Sequence, residues 1–344
     1  MHPGQRMGNP RVADRSDAKI GRMRSAGMLL LIGLASACGG DAVPTIAPPD
    51  GPATGTLLVL ETRPCNWLQP GDPNKCDAVG LVRIGLDGEV QQVVTPRLPM
   101  ALRSFALSSD GGRIAWAWNW EVAIAEVDGA GVRVVNAKVL DEGLGETALD
   151  PAWSPDGSEL TYWWTGATGE EGWYRVDVEN GDMAKVDLPV DCRAMALAPG
   201  GGRMACEVER DPEGDSGRTL ADLYLVDLET NEATALTDPD DTVGNGRPEW
   251  SPDGRWLAFA RWTDDAGASA ELNGIWVLEI ETGAAVRVAP GAISVPVWSP
   301  DGGHIAAYDQ VEGRIIIVGR DGSGLTTVDH EPRRFTAPRW LPED

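Results

Sequence analysis

Short apolar runs separated by polar turns fill most of the chain, and one turn recurs at the centre of a repeated unit. The unit has an apolar run ending near a Trp, a Ser-Pro-Asp-Gly turn and a second apolar run. Five complete copies are centred on residues 105–111, 151–157, 195–201, 248–254 and 296–302, and a truncated sixth occupies residues 338–344. Because Pro presets φ, Asp bonds its own backbone and Gly accepts a positive φ, each complete copy predicts a strand–turn–strand hairpin.

A second repeated element gives the same number of units. Apolar strands that end in an acidic residue or a turn pair lie at residues 81–87, 122–128, 174–179, 223–229, 275–281 and 314–321. A fourth short strand follows each of them, as at residues 132–139 and 285–288. Four strands repeated six times predict an all-β fold, a six-bladed β-propeller of four-stranded antiparallel blades. Its strands are apolar on both sides because neighbouring blades cover both faces of each sheet.

The two ends of the repeated region predict how the ring closes. The first run, residues 56–60, has the pattern of a second strand, whereas the chain ends on a first strand around Trp340. One blade is therefore expected to combine both termini, which would pair strand edges that are otherwise exposed. The predicted propeller domain spans residues 55–344.

The repeat resembles that of the TolB-like propeller family, in which Trp-Ser-Pro-Asp-Gly precedes an apolar run. The match is close around Trp153, Trp250 and Trp298 and looser in the other copies, and it covers nearly all of residues 55–344. The resemblance implies a propeller in the bacterial cell envelope. It is specific for the fold rather than the function, since similar propellers act as stand-alone binding proteins and as gating domains of prolyl peptidases.

The first 37 residues are predicted to be a signal peptide. Basic residues precede a short apolar stretch, residues 28–34, which is well below the roughly 20 residues needed to cross a bilayer. Residues 34–40 then resemble a bacterial lipobox, which implies that Cys38 is lipidated and that residues 38–54 form a linker. The alternative is an ordinary signal peptide cut near Ala37. We expect an exported lipoprotein that is anchored to the inner or the outer membrane and faces the periplasm or the cell surface.

The remaining cysteines form two local pairs, Cys65 with Cys76 and Cys192 with Cys206. Paired cysteines suit an oxidising compartment, so two disulfides are predicted. The second pair lies symmetrically about a turn that begins at Pro199, so its Cβ atoms are expected to face each other across two strands. A metal site is the alternative for such pairs, but CxxC spacing and a nearby His are lacking.

The charge balance restricts the partners. The chain has 29 Lys+Arg, 53 Asp+Glu and a net charge of -24. Nucleic acid and anionic membrane surfaces need a positive patch, so neither is expected, and any membrane attachment depends on the lipid alone. No cofactor is predicted, although carboxylates in the loops leave Ca²⁺ as an alternative.

The turns of such a propeller alternate between two faces. The Ser-Pro-Asp-Gly turns and the turns between third and fourth strands lie on one face, which we call the short-turn face. Longer connections lie on the opposite, long-loop face, where function tends to collect. These loops are acidic, and they predict recognition of a cationic protein or peptide partner through Asp141, Glu142, Asp211, Glu213, Asp215, Asp240, Asp241, Asp264 and Asp265. The alternative is that these acids only keep the protein soluble.

Tryptophan offers a second kind of binding surface. The repeat residues Trp153, Trp250, Trp298 and Trp340 are expected in the core. Four others fall near the long-loop face and are candidates for stacking on a sugar or another ligand: Trp67, Trp120, Trp173 and Trp262.

Catalysis has little support in the sequence. No Gly-x-Ser-x-Gly elbow, P-loop or His-Glu-x-x-His motif is present, and no catalytic residue is assigned. His304 occupies a repeat position that other copies fill with Arg113, Glu159, Arg203 and Trp256, and it is therefore expected to be exposed on a strand. We therefore favour a lipid-anchored binding or scaffold propeller over two alternatives, a hydrolase or lyase acting on sugar or peptide and a Ca²⁺-dependent accessory protein. The sequence does not indicate an oligomeric state.

Overall fold

The computed structural model describes residues 46–63, 78–98, 105–118, 120–137, 145–166, 171–210, 220–238, 243–263, 272–291, 295–330 and 337–342. Residues Val43–Asp344 form one compact unit. Within the described ranges, 24 strands form six four-stranded sheets, each a blade of a propeller. All strand pairs are antiparallel, which confirms the predicted fold class.

The first three blades follow the predicted repeat. Blade 1 contains β1 (Thr56–Arg63), β2 (Ala78–Gly85), β3 (Val90–Leu98) and, from the other end of the chain, β24 (Arg339–Trp340). Blade 2 contains β4 (Phe105–Leu107), β5 (Arg113–Trp118), β6 (Glu121–Glu126) and β7 (Arg133–Val134). Blade 3 contains β8 (Gly145–Trp153), β9 (Glu159–Gly166), β10 (Glu171–Asp177) and β11 (Met183–Lys185).

The other three blades have the same order of strands. Blade 4 contains β12 (Cys192–Leu197), β13 (Arg203–Arg210), β14 (Leu220–Asp227) and β15 (Glu232–Ala235). Blade 5 contains β16 (Gly244–Trp250), β17 (Trp256–Trp262), β18 (Gly274–Glu279) and β19 (Ala285–Pro290). Blade 6 contains β20 (Val297–Trp298), β21 (His304–Asp309), β22 (Arg314–Gly319) and β23 (Thr326–Val328).

Blade 1 closes the ring. Its sheet has the order β24-β1-β2-β3, with Leu57 opposite Trp340 and Leu58 opposite Arg339. The prediction that one blade combines both ends of the repeated region is therefore confirmed. The first strands of neighbouring blades are also in contact, as β8 with β12 and β20 with β24, so they form the inner ring.

The Ser-Pro-Asp-Gly turn is a compact hydrogen-bonded unit, shown here for blade 5. The Ser251 hydroxyl and the Arg255 N–H both donate to Asp253 Oδ1, and the Trp256 N–H donates to Ser251 Oγ at 2.9 Å. Gly254 has a φ of 69°, which only Gly adopts without strain, and its N–H donates to the Ser251 carbonyl. Local polar groups thus fix the turn without help from the rest of the protein.

Three of the repeat tryptophans, Trp153, Trp250 and Trp298, join their blade to the one before it. Their indole N–H groups donate to main-chain carbonyls of the preceding inner strand, and the residues are 6–8% exposed. Trp153 donates to the Ala106 carbonyl at 3.3 Å, Trp250 to Ala196 at 2.9 Å and Trp298 to Glu249 at 3.1 Å. The prediction that the repeat tryptophans lie in the core is confirmed, and these hydrogen bonds fix the register between blades.

Cys192 and Cys206 form the predicted disulfide, with Cα atoms 5.4 Å apart. The two residues are not directly paired in register, since Cys192 lies opposite Val208 and Cys206 opposite Met195. A bulge between Cys192 and Ala194 shifts the register and makes the pair diagonal. The other predicted disulfide, Cys65–Cys76, lies outside the described residues.

The predicted lipidation site Cys38 and the signal peptide also fall outside the described ranges, so both stay predictions. Among the residues that are described, no helix is long and apolar enough to span a bilayer.

Candidate functional site

All nine predicted acidic site residues lie outside the described residues. These residues are Asp141, Glu142, Asp211, Glu213, Asp215, Asp240, Asp241, Asp264 and Asp265, together with Trp67. Their proposed roles stay predictions, and the site is built here from the described strands that carry those loops.

The three described candidate tryptophans differ in exposure. Trp120 is 43% exposed in the short connection between β5 and β6, and Trp118, the last residue of β5, is 36% exposed. Trp173 is only 3% exposed and its indole N–H donates to the Cys192 carbonyl at 2.7 Å, which makes it part of the core rather than a stacking surface. Trp262 is half-buried against the backbone of Gly244, where a Cβ would collide with its ring.

Two opposite charges of the inner ring influence each other. The Arg339 charge of blade 1 acts on Glu249 of blade 5, although blade 6 lies between their blades. Burial raises the pKa of Glu249, and the Arg339 charge partly offsets that increase. The inner strands therefore contain charged as well as apolar residues.

Two inner strands have bulges with strained residues at matching places. Asp150 in β8 has a φ of 48° and Arg247 in β16 has a φ of 57°, each three residues before the repeat Trp of its blade. The strand register shifts at both places. Residues other than Gly rarely adopt a positive φ, and such strain clusters at functional sites. Bulges also redirect side chains next to binding sites.

Glu207 of β13 lies between these two bulges. Its carboxylate accepts the Arg247 N–H at 2.8 Å, and a Cβ at Gly246 would collide with it. Burial raises the pKa of Glu207, and the nearby charges of Glu209 and Asp150 raise it further, against the opposing effect of Arg247. One acidic side chain of blade 4 is thus hydrogen-bonded to blade 5 and lies within the electrostatic influence of Asp150 in blade 3. We call Asp150, Glu207 and Arg247 the bulge cluster.

Two polar contacts brace the strands that lead from the bulge cluster to the long-loop face. Arg210 pairs with the buried Asp222 at 2.9 Å and donates to the Val243 carbonyl of blade 5 at 2.8 Å. Arg261 donates to Asn245 Oδ1 at 2.7 Å, with its guanidinium 4.3 Å from the centre of the Trp276 ring. Charged groups held in this way keep a fixed geometry.

The described residues offer no support for a metal centre, since they contain no group of three or more His, Cys, Asp or Glu side chains placed to hold an ion. The expectation of an exposed His304 is wrong, because its side chain is only 7% exposed. Its neighbour Gly303 is covered by Pro49, so this end of β21 is not open to solvent.

The sequence analysis did not predict the bulge cluster or Glu249. The repeat nevertheless marks Glu249 and Glu207, because each is a charged residue at a position that is uncharged in most other copies. Glu249 occupies the position before the repeat Trp, where four other copies have Ala or Val. The second strands of four other blades have an uncharged residue at the position of Glu207: Ala117, Trp163, Ala260 and Tyr308. Charged departures from an apolar repeat position are therefore the informative residues.

The repeat and the six-sheet ring can now be compared with known proteins. The sequence model of the TolB beta propeller domain matches residues 104–343. The chain belongs to the TolB beta propeller domain family. This TolB-family chain is similar to TolB from Acinetobacter baumannii, with a TM-score of 0.61 at 18% identity over 84% of this chain and 67% of that one.

Two further solved structures share the fold. Putative TolB from Agrobacterium tumefaciens has a TM-score of 0.55 at 17% identity, over 85% of the TolB-family chain and 100% of that chain. A chain of the nidogen/laminin complex has a TM-score of 0.55 at 10% identity, over 83% of this chain and 97% of its own length. At these identities the similarity shows the fold alone.

One curated relative is an uncharacterized peptidase, YuxL, of Bacillus subtilis (strain 168). It is 35% identical over 101 residues, which is 23% of the TolB-family chain and 15% of that protein. The match thus spans a small part of the relative's length.

Proposed function

We propose that this TolB-family chain is an exported, lipid-anchored envelope protein that binds a protein partner at its long-loop face. The observation that supports the proposal most directly is the bulge cluster. Glu207 keeps an ionisable carboxylate half-buried between two strained residues from neighbouring blades, an arrangement that costs stability and that a purely structural repeat does not need.

The surroundings suit a partner with a basic segment. The loops that the strands carry are rich in Asp and Glu, and the chain as a whole is strongly acidic. Complementary charge speeds encounter and selects among partners, whereas an exposed aromatic such as Trp120 supplies apolar contact area. The solved nidogen/laminin complex is an example of a chain of this fold found with a protein partner.

Export is supported by the disulfide. Cys192 and Cys206 are bonded and almost fully buried, and disulfides persist in oxidising compartments. The predicted signal peptide and the lipobox around Cys38 point to the same compartment. Mass spectrometry of the mature protein would test the anchor, since a lipidated N-terminal Cys38 differs in mass from a chain cut at Ala37.

A charge-reversal experiment tests the binding site. The variant Glu207→Lys should lose partners that chemical cross-linking captures from the native envelope, because a cation would replace the acid in the cluster. The matched control is Glu179→Lys, an exposed acid on the short-turn face, which should retain them. Equal capture by both variants, with both still folded by circular dichroism, would refute the long-loop face as the binding surface.

A further inference from the structure

Residues 46–50, which precede the propeller, pack against the short-turn face at blade 6; we call them the strap. Ile46 is 5% exposed and belongs to the apolar cluster between blades 5 and 6, with Trp298 and Ile316. Arg320, in the turn between β22 and β23, donates from Nε to the Ala47 carbonyl at 2.8 Å and from Nη2 to the Pro48 carbonyl at 3.2 Å. An apolar anchor and a guanidinium clamp thus hold one short segment.

The other blades serve as internal controls for this contact. The main-chain N–H of Arg320 donates to the Gly303 carbonyl, and residues in four other blades make the same hydrogen bond to the corresponding turn. Those residues are aliphatic: Val127, Val178, Leu228 and Ile280. Only blade 6, of these five blades, has an Arg at this position, and blade 6 is the blade that contacts the strap. The exchange of an aliphatic residue for Arg320 therefore occurs where its guanidinium has carbonyl groups to bind.

The turn beneath the strap also fits it closely. A Cβ at Gly303 would lie 3.2 Å from Pro49 Cβ, so the absence of a side chain there leaves room for the strap. Blade 6 therefore has two features that match the strap, an apolar space for Ile46 and an Arg for two carbonyls, and its Gly303, like the Gly residues at the same place in blades 2 and 4, leaves the space that Pro49 occupies.

We propose that the strap fixes the orientation of the propeller on the membrane, with the short-turn face towards the bilayer and the long-loop face away from it. The proposal rests on the lipid anchor at Cys38 of the proposed function. Seven residues lie between Cys38 and Ile46, and these eight Cα–Cα steps limit the distance between anchor and strap to about 29 Å.

Orientation has a clear physical use for this chain. An acidic protein is repelled by an anionic bilayer surface, so an anchor on a free linker would let the propeller rotate and turn its binding face in any direction. A strap docked at one point of the rim removes that freedom. The long-loop face is then presented to partners on the far side of the molecule.

Energy transfer between the protein and labelled lipid measures the orientation. Glu171 begins β10 in blade 3 and Glu179 lies in the turn that follows this strand; both are exposed, and the strand alone spans about 20 Å. A fluorescent amino acid is placed at one or the other position of the full lipidated protein in phosphatidylcholine vesicles that contain a headgroup-labelled acceptor. Transfer should be stronger from position 179 than from position 171.

Three variants then test the strap. Arg320→Ala and Ile46→Asp should remove the difference between positions 179 and 171 and speed hydrogen exchange in the peptide that contains Ile46 and Ala47. Arg314→Ala changes an exposed Arg of the same blade at the opposite end of β22 from Arg320, and it should change neither. Circular dichroism checks that each variant folds. The two strap variants disrupt different contacts, since Arg320→Ala removes hydrogen bonds and Ile46→Asp places a charge in the apolar cluster.

The outcomes separate this proposal from the proposed function. Equal transfer from both positions in the parent protein, or an unchanged difference in both strap variants, would overturn the orientation while leaving binding at the long-loop face intact. A parent protein that fails to float with vesicles and carries no lipid on Cys38 would overturn the anchor and the orientation with it. Loss of partner capture in Glu207→Lys is independent of all these results.

Discussion

The two faces of the propeller are built by different means. On the short-turn face, Asp and Ser side chains bond main-chain groups two to five residues away, as Asp253 does with Arg255. Towards the long-loop face the important contacts span blades, such as Glu207 with Arg247 and Arg210 with Val243, which are 40 and 33 residues apart. The first face repeats and the second does not. The repeated residues therefore build the scaffold. The residues that depart from the repeat are the candidates for specific function.

The largest expected loss of stability comes from removing a tryptophan that joins two blades. Trp250→Ala deletes a buried ring and its hydrogen bond to Ala196, and should lower the free energy of unfolding by about 3–5 kcal/mol. Trp120→Ala removes an exposed ring near the long-loop face and should change it by less than about 0.5 kcal/mol. Urea unfolding measures both. Similar losses would mean that Trp120 also belongs to the scaffold.

Breaking the disulfide should have the next largest effect. Cys192 and Cys206 are separated by 14 residues, and closing a loop of this size stabilises a protein by about 3 kcal/mol in the chain-entropy model. The double variant Cys192→Ser with Cys206→Ser should therefore melt at a lower temperature than the oxidised parent. If a reductant lowers the melting temperature of the double variant as much as that of the parent, another bond is responsible.

A single turn on the short-turn face should contribute less. Asp253→Ala removes an acceptor for the Ser251 hydroxyl and the Arg255 N–H, and should cost about 1 kcal/mol. Asp253→Asn keeps an acceptor oxygen, so it should lose less than half of the free energy of unfolding that Asp253→Ala loses. Chemical denaturation compares the two variants with the parent. Equal losses would show that the negative charge matters more than the hydrogen bonds.

Acid should weaken the same kind of turn. Hydrogen bonds from the Ser158 N–H and the Ser154 hydroxyl lower the pKa of Asp156 from 3.8 to about 2. Because the folded-state pKa is lowered, this stabilisation is complete above pH 3.8 and disappears as the pH falls towards 2. Asp156→Asn should flatten the acid side of the stability profile between those values. A profile identical to that of the parent would contradict the interpretation.

The smallest expected effect is an increase in stability rather than a loss, and it concerns Glu207. Burial raises the pKa of Glu207 above its ordinary value of 4.5, so ionisation of this side chain costs the folded state stability at neutral pH. Glu207→Gln should therefore be more stable than the parent at pH 7, and the difference should vanish below pH 4.5. Thermal melts at both pH values measure it. Lower stability at pH 7 would assign Glu207 to the scaffold instead of a binding site.

Much of the fold was predictable because the repeat encodes local structure. Turn chemistry at Ser-Pro-Asp-Gly predicted the hairpins, and the pattern around Trp340 predicted the closing strand. The bulges at Asp150 and Arg247 were not predicted, since a bulge depends on pairing with another strand rather than on local sequence. Burial of His304 and docking of Ile46 depend on contacts with distant segments, which no pattern around either residue reports.

The closing blade also has a consequence for how this protein matures. Because β1 pairs with β24, nearly the whole propeller sequence lies between the two partners, as between Leu57 and Trp340, and this pairing forms after a very large loop is closed. The ring stays open until β24 is available to β1. A variant that lacks Trp340 would leave the edge of β1 unpaired and open to proteases and aggregation. Pairing of these two strands is therefore also a quality check on the propeller, applied by the fold itself.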